Sequence, residues 1–157
     1  MKKRFIKWGI IIILSGLIIG GGIIFYMFNQ PHRNIQAITS DYQMKASTLV
    51  KDYLTDATLA NEKYLQDDGE SKIITVTGTI ASITEDLNQQ QVVLLKGKNE
   101  KAGVSCTFTS ETNGNTKNLK IGETVTIKGV IRSGAGYDED LELYEDVILE
   151  KCDVVNN

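Results

Sequence analysis

Two segments of the chain repeat one pattern, in which apolar residues alternate with polar residues around a central glycine. The apolar positions are Ile74, Val76 and Ile80 in the first segment, and Val125, Ile127 and Ile131 in the second. This period of two predicts a β-strand with one buried face. Gly78 and Gly129 lie on that same face, where a glycine lets a strand bend or bulge as a small closed barrel requires.

Five strands are predicted between residue 72 and the C-terminus. They cover residues 73–83, 91–96, 103–109, 124–132 and a last segment, 141–155. Residues 110–119 are rich in Asn, Thr and Gly and predict a loop or at most one helical turn. We therefore predict a mainly β domain, a five-stranded Greek-key barrel of the OB-fold type.

A single amphipathic helix is predicted before the barrel, over residues 41–65. Its apolar stripe consists of Tyr42, Ala46, Leu49, Tyr53, Ala57, Ala60 and Tyr64. The three tyrosines could form a ligand platform, but we expect them to pack on the barrel with their hydroxyls at its rim.

Residues 8–28 contain no charged residue, and as a helix of roughly 31 Å they match a hydrocarbon core of about 30 Å. Four cationic residues precede this stretch, which predicts a single-pass transmembrane helix with a cytoplasmic N-terminus. The alternative is a cleaved signal peptide and a secreted domain. The predicted organisation is a basic segment (1–7), a membrane helix (8–28), a linker (29–40) and an extracytoplasmic domain (41–157).

Charge is distributed unevenly along the chain. All 20 acidic residues lie from residue 41 onward, together with 12 basic residues, so that domain has a net charge of −8. Such a domain repels phosphate backbones, and nucleic acid is therefore an unlikely partner.

Residues 42–155 resemble the bacterial tRNA_anti-like OB-fold family of exported proteins. The resemblance is carried by Val76-Thr77-Gly78-Thr79-Ile80, by Cys106, by the segment from Gly122 to Gly129 and by the segment from Asp146 to Cys152. The family name implies a nucleic-acid-binding domain of the tRNA anticodon type, which we keep as an alternative function. The third and fifth strands of an OB barrel are neighbours, so Cys106 and Cys152 are predicted to form a disulfide, the alternative being two reduced core cysteines.

The residue types needed for catalysis are scarce in the predicted domain. His32 is the only histidine and precedes it, which excludes Ser-His-Asp and Cys-His systems there. Two cysteines without histidine do not complete a zinc site, and the acidic run at residues 138–140 lacks the spacing of a calcium loop. We predict no enzymatic activity, no catalytic or metal-binding residues and no cofactor.

The expected function is ligand binding by two loops that the barrel geometry is expected to place at one rim, residues 84–90 and 133–140. The candidate binding residues are Asn88, Tyr137, Asp138 and Asp140, whose amide, phenol and carboxylate groups suit an unknown protein, a peptide or a small polar ligand. The membrane is the other predicted partner, through residues 8–28. A structural or assembly role in the cell envelope is a further alternative.

Overall fold

The computed structural model describes residues 16, 19–25, 35–65 and 71–155. The chain forms two compact units, Met1–Asn34 and Ile35–Asn157. In the first unit, residues 19–25 are helical. Among the described residues, no helix is both long and apolar enough to span a bilayer. Most of the predicted transmembrane helix, residues 8–28, lies outside the described residues.

The second unit is mainly β, with two helices near its beginning. In chain order its elements are β1 (Tyr42–Lys45), α1 (Ala46–Thr55), α2 (Ala57–Tyr64), β2 (Ile73–Glu85), β3 (Gln91–Leu95), β4 (Val104–Phe108), a short 3-10 helix (Asn113–Thr116), β5 (Thr124–Ser133), β6 (Gly136–Asp138), β7 (Leu143–Glu145) and β8 (Val147–Val154). The five predicted strands correspond to β2, β3, β4, β5 and β8, so the strand prediction is confirmed. β6 and β7 form a separate two-stranded hairpin between β5 and β8.

The five long strands close into a barrel. Their hydrogen-bonded order is β2-β3-β4-β8-β5, and β5 pairs back onto β2. All pairs are antiparallel except β4 with β8, which is parallel. The barrel predicted from the alternating pattern is therefore present.

The repeated glycine-centred segments form β2 and β5, and they pair with each other. All six of their predicted inward apolar residues are buried. Gly129 lies where the pairing of β5 with β8 shifts register, and a Cβ atom added there would lie 2.6 Å from the Cys152 sulfur. A side chain at this position would collide with the core, which explains why the bend of β5 carries a glycine.

The single helix predicted over residues 41–65 is wrong in detail. Its first residues form β1, which pairs in parallel with β2, and the rest divides into α1 and α2 at Asp56. Asp41 fixes the strand, because its backbone N–H donates to the Ile73 carbonyl and its carboxylate accepts the Ile73 N–H. Asp56 has an extended backbone, and its carboxylate caps α2 by accepting the N–H of Leu59 at 3.0 Å.

The two helices pack on the barrel through the predicted apolar stripe. Leu49, Tyr53 and Tyr64 are buried, which confirms the predicted packing of the stripe. The Tyr53 hydroxyl is itself buried, so the expectation that it lies at the rim is wrong. The Tyr64 hydroxyl donates to the Asp52 carboxylate at 2.6 Å, and the Lys63 ammonium lies 3.2 Å from the same oxygen. This cluster links α1 to α2.

The segment at residues 35–40 also packs on the barrel. Ile35 is buried, and the Gln36 side chain donates to the Lys151 carbonyl of β8 at 3.0 Å. The Lys128 ammonium of β5 donates to the carbonyls of Gln36 and Ile38. The beginning of this unit is thus fastened beside its last strand.

Candidate functional site

A cleft opens between α1 and the β6–β7 hairpin. Its lining includes Tyr53, Leu54, Lys101, Gly136, Tyr137 and Tyr144, and we call it the tyrosine cleft. Its volume is 420 Å³, within the range of about 300–1,000 Å³ typical of small-molecule sites. Three separate parts of the chain meet here: a helix, the turn between β3 and β4, and the hairpin.

Tyr53 forms the helical wall of the tyrosine cleft. Only 2% of its surface is exposed, and its hydroxyl is buried without a hydrogen-bond partner among the residues that the structure describes. Burial, and then the nearby Tyr64, raise the pKa of Tyr53 to about 12. Tyr53 is therefore a neutral phenol that borders the cleft, while its hydroxyl is enclosed by protein atoms.

The residues that follow β5 approach the Tyr53 ring very closely. A Cβ atom added to Gly134 would lie 2.0 Å from a ring carbon of Tyr53. Only a glycine allows the backbone to lie this close to the ring. The next residue, Ala135, is buried, so residues 134–135 hold the beginning of the hairpin against α1.

The opposite wall of the tyrosine cleft is aromatic and carries one cation. The rings of Tyr137 and Tyr144 pair across the hairpin, with centroids 4.8 Å apart and planes inclined by 51°. The Lys101 ammonium donates to the Tyr144 hydroxyl at 3.1 Å and lies 5.0 Å from the centre of that ring. This hydrogen bond raises the pKa of Lys101, which remains cationic. Tyr137 is 52% exposed and offers the more open ring face.

The residues that follow β7 are fixed to Gly103, just before β4. The Asp146 carboxylate accepts the Gly103 N–H at 2.6 Å, and the Val147 N–H donates to the Gly103 carbonyl at 3.0 Å. The Asp138 carboxylate closes the hairpin turn by accepting the backbone N–H groups of Asp140 and Leu141 at 2.9 Å. The hairpin is thus attached to the barrel beside β4, and its turn is closed by Asp138.

The structure brings together three of the four predicted binding residues. Tyr137, Asp138 and Asp140 belong to the β6–β7 hairpin and its turn. Asn88 belongs to the turn between β2 and β3, where its backbone N–H donates to the Asp86 carboxylate. That turn lies beside the end of β4, because Asn113 bonds to both Gln89 and Gln91. The β6–β7 hairpin lies instead beside the beginning of β4. The predicted loops 84–90 and 133–140 therefore lie at opposite ends of this strand and do not form one rim.

A protein-family model matches most of the chain. The model of the tRNA_anti-like family matches residues 1–143. The chain belongs to the tRNA_anti-like family. Among functionally curated proteins, no relative matches it.

A solved structure also resembles this tRNA_anti-like protein. It is a crystal structure of a lipoprotein from Klebsiella pneumoniae subsp. pneumoniae MGH 78578 that is provisionally named as nucleic acid-binding. The match has a TM-score of 0.54 and 18% sequence identity, and it covers 81% of this chain and all of the other. At this identity the likeness supports the fold.

The two cysteines of this tRNA_anti-like chain lie in the barrel core. Cys106 and Cys152 are both buried free thiols, so the structure does not contain the predicted disulfide. They lie on neighbouring strands, as expected, but the register places Cys106 opposite Leu149, and Cys152 opposite Phe108. Burial is the main cause that raises the pKa of the Cys152 thiol, which favours its protonated form.

The sequence prediction missed three members of the tyrosine cleft: Tyr53, Lys101 and Tyr144. Tyr53 was assigned to packing, which is correct for its ring but leaves its hydroxyl unexplained. Tyr144 lies directly opposite Tyr137 in the hairpin, and its strand is only three residues long, which is too short to give a periodic sequence signal. Among the described residues, no group of acidic, histidine and cysteine side chains could hold a metal ion.

Proposed function

We propose that this chain is a non-catalytic binding module, an extracytoplasmic OB-fold domain held at the membrane by residues 8–28, whose ligand occupies the tyrosine cleft. One observation carries the choice of site: a cleft of 420 Å³ is lined by the half-exposed Tyr137, by Tyr144 and by the cationic Lys101. A concave site with an open aromatic face and a few polar groups is typical of small-molecule binding.

The membrane part of the proposal rests on the apolar stretch at residues 8–28 and on the cations before it. The similar Klebsiella protein is called a lipoprotein, which is consistent with a place in the cell envelope. Adding protease to intact cells should degrade residues 41–157 and spare an N-terminal fragment. A domain that becomes sensitive only after lysis would contradict the extracytoplasmic location, and a mature N-terminus near residue 23 would contradict the anchor alone.

Nucleic-acid binding is the second candidate, because the family name and the name of the Klebsiella protein both suggest it. Two features of this chain speak against it. OB-folds bind single strands through exposed aromatics and a basic groove, but the one aromatic residue on β3 and β4, Phe108, is fully buried. The net charge of −8 from residue 41 onward opposes a polyanion.

A fragment screen on the full-length chain tests the proposed site directly. Nitrogen-15 NMR with a library of small polar and aromatic compounds should shift the amide signals of Gly134, Gly136 and Tyr137 more than those elsewhere. Tyr137→Ala should weaken these interactions, because it removes the open aromatic face. Leu87→Ala is a matched control, because Leu87 is fully exposed in the turn between β2 and β3. Fragments that cluster around Asn88 or on the outer face of β3 and β4 would contradict the tyrosine cleft.

A further inference from the structure

We infer that the tyrosine cleft binds a neutral sugar ring, either free or as a unit of a glycan. This inference rests on the proposed function and adds the chemical class of the ligand. It is drawn from three properties of the tyrosine cleft: its size, the arrangement of its aromatic faces and hydrogen-bonding groups, and the charges around it.

The first property is the shape of the tyrosine cleft. A volume of 420 Å³ bounded by a helix and a short hairpin suits a compact ring more than an extended chain. Extended peptides usually bind by pairing with a strand edge or lying in a long groove. The ligand should therefore be compact where it contacts the protein, even if it continues into solvent.

The second property is the combination of an open ring face with hydrogen-bonding groups around it. Tyr137 exposes about half of its surface, while Tyr144 is turned by 51° and lies beside Lys101. The Tyr144 hydroxyl, which accepts from Lys101, and the Lys101 ammonium can both donate to a ligand oxygen. A pyranose ring has an apolar C–H face surrounded by hydroxyl groups, and these two parts match the phenol ring and the surrounding donors.

The third property is charge. Among the described residues that line the tyrosine cleft, Lys101 is the only charged one, and it disfavours a cationic ligand. The adjacent hairpin carries acidic residues, namely Asp138, Glu139, Asp140, Glu142 and Glu145. These carboxylates disfavour a polyanion such as a nucleic acid. A neutral ligand rich in oxygen atoms avoids both kinds of repulsion.

Titration of the full-length chain with neutral sugars tests the inference. Glucose and N-acetylglucosamine represent free sugars, and maltotriose, cellotriose and the N-acetylglucosamine trimer represent glycan chains. At least one should shift the amide signals of Gly134 and Gly136 in nitrogen-15 NMR. Tighter binding of a trimer than of its own monomer would identify a glycan as the source, and equal affinities would identify a free sugar.

Variants separate the contributions of the ring face and the hydroxyl. Tyr137→Ala and Tyr144→Phe should each weaken sugar binding by about tenfold, because one removes the stacking face and the other removes a hydrogen-bond donor. Tyr42→Phe is the matched control for loss of a hydroxyl outside the tyrosine cleft, and Leu87→Ala is the control for an exposed surface. Neither control should change the affinity, and circular dichroism should show that all four variants remain folded.

Two results would overturn the inference in different ways. If no sugar shifts these signals at ~10 mM, while a nucleoside or a short peptide binds with the same dependence on Tyr137, the site is correct and the ligand class is wrong. If sugars bind but Tyr137→Ala and Tyr144→Phe leave the affinity unchanged, the tyrosine cleft is not the site, and the proposed function loses its location as well.

Discussion

At the scale of single residues, the buried hydroxyl of Tyr53 makes the clearest energetic prediction. Tyr53→Phe removes a polar group that lacks a partner while keeping the packed ring. We expect the free energy of unfolding, measured in urea without ligand, to rise by about 1 kcal/mol. A loss of stability would show that the hydroxyl has a partner in solution. Tyr137→Phe, at an exposed ring, should change stability little.

The same residue gives a prediction for alkaline pH. The pKa of Tyr53 is raised to about 12 by burial and then by Tyr64, from an ordinary value near 10.0. Between these two values the unfolded chain loses this proton while the folded chain keeps it, so stability falls as the pH rises. Denaturation between pH 10 and 12 should therefore show a smaller loss of stability in Tyr53→Phe than in the unmodified protein. Equal slopes would contradict the raised pKa.

The buried thiols make a further prediction at this scale. In the structure Cys106 and Cys152 are free and fully buried. A thiol reagent added under native, non-reducing conditions should react slowly, and unfolding should release two reactive thiols per chain. Finding no reactive thiol in unfolded, unreduced protein would restore the disulfide expected from the sequence.

At the scale of secondary-structure elements, Asp52 is the contact that joins α1 to α2. It accepts hydrogen bonds from Tyr64 and from Lys63, and the bond from Tyr64 is the main cause that lowers the pKa of Asp52. A carboxylate with a lowered pKa stabilises the fold above its ordinary pKa of 3.8, and this stabilisation is lost as the pH falls through the lowered value.

Asp52→Asn should therefore reduce the free energy of unfolding at neutral pH by about 1–2 kcal/mol. It should also make stability less dependent on pH below about 4. Chemical denaturation at several acidic pH values measures both effects. Glu62→Gln, at an exposed position of α2, is the control for loss of one negative charge. An Asp52→Asn variant as stable as this control would show that the hydrogen bonds add little.

The elements differ in how well the sequence predicts them. β5 follows from strict alternation, because its positions 125, 127, 129 and 131 are all buried, and β2 follows from the same alternation over positions 74, 76 and 80. β1 was predicted as helix, since Tyr42 also fits the helical stripe and only its pairing with β2 decides between the two. The division into α1 and α2 at Asp56 was not predicted, because the apolar stripe continues across that position. The tyrosine cleft depends on the close approach of Gly134 to Tyr53, and no local pattern records a contact between residues so distant in sequence.

At the scale of the whole molecule, the negative charge of the domain predicts weak binding to nucleic acid, although the family name suggests a nucleic-acid-binding function. Single-stranded DNA or RNA should bind negligibly to the full-length chain at ~150 mM salt, because few phosphate contacts compensate for a domain charge of −8. Electrophoretic mobility-shift and filter-binding assays measure the affinity for these nucleic acids. A variant with Asp138→Lys, Glu139→Lys and Asp140→Lys should bind more strongly and with a steep dependence on salt. Micromolar binding by the unmodified chain would favour the nucleic-acid function instead.

The attachment of residues 35–40 beside β8 also determines which rearrangements of the chain the barrel can accept. The Gln36 side chain bonds to Lys151, and the Lys128 ammonium bonds to the Gln36 carbonyl. Lys128 is also paired with Asp153 in the sheet, so the two ends of the domain lie on neighbouring parts of the surface. Adjacent ends are the condition for circular permutation. A chain that begins at the exposed Leu87 and joins residue 155 to residue 35 through a short linker would keep every strand pairing, with the tyrosine cleft far from the new ends.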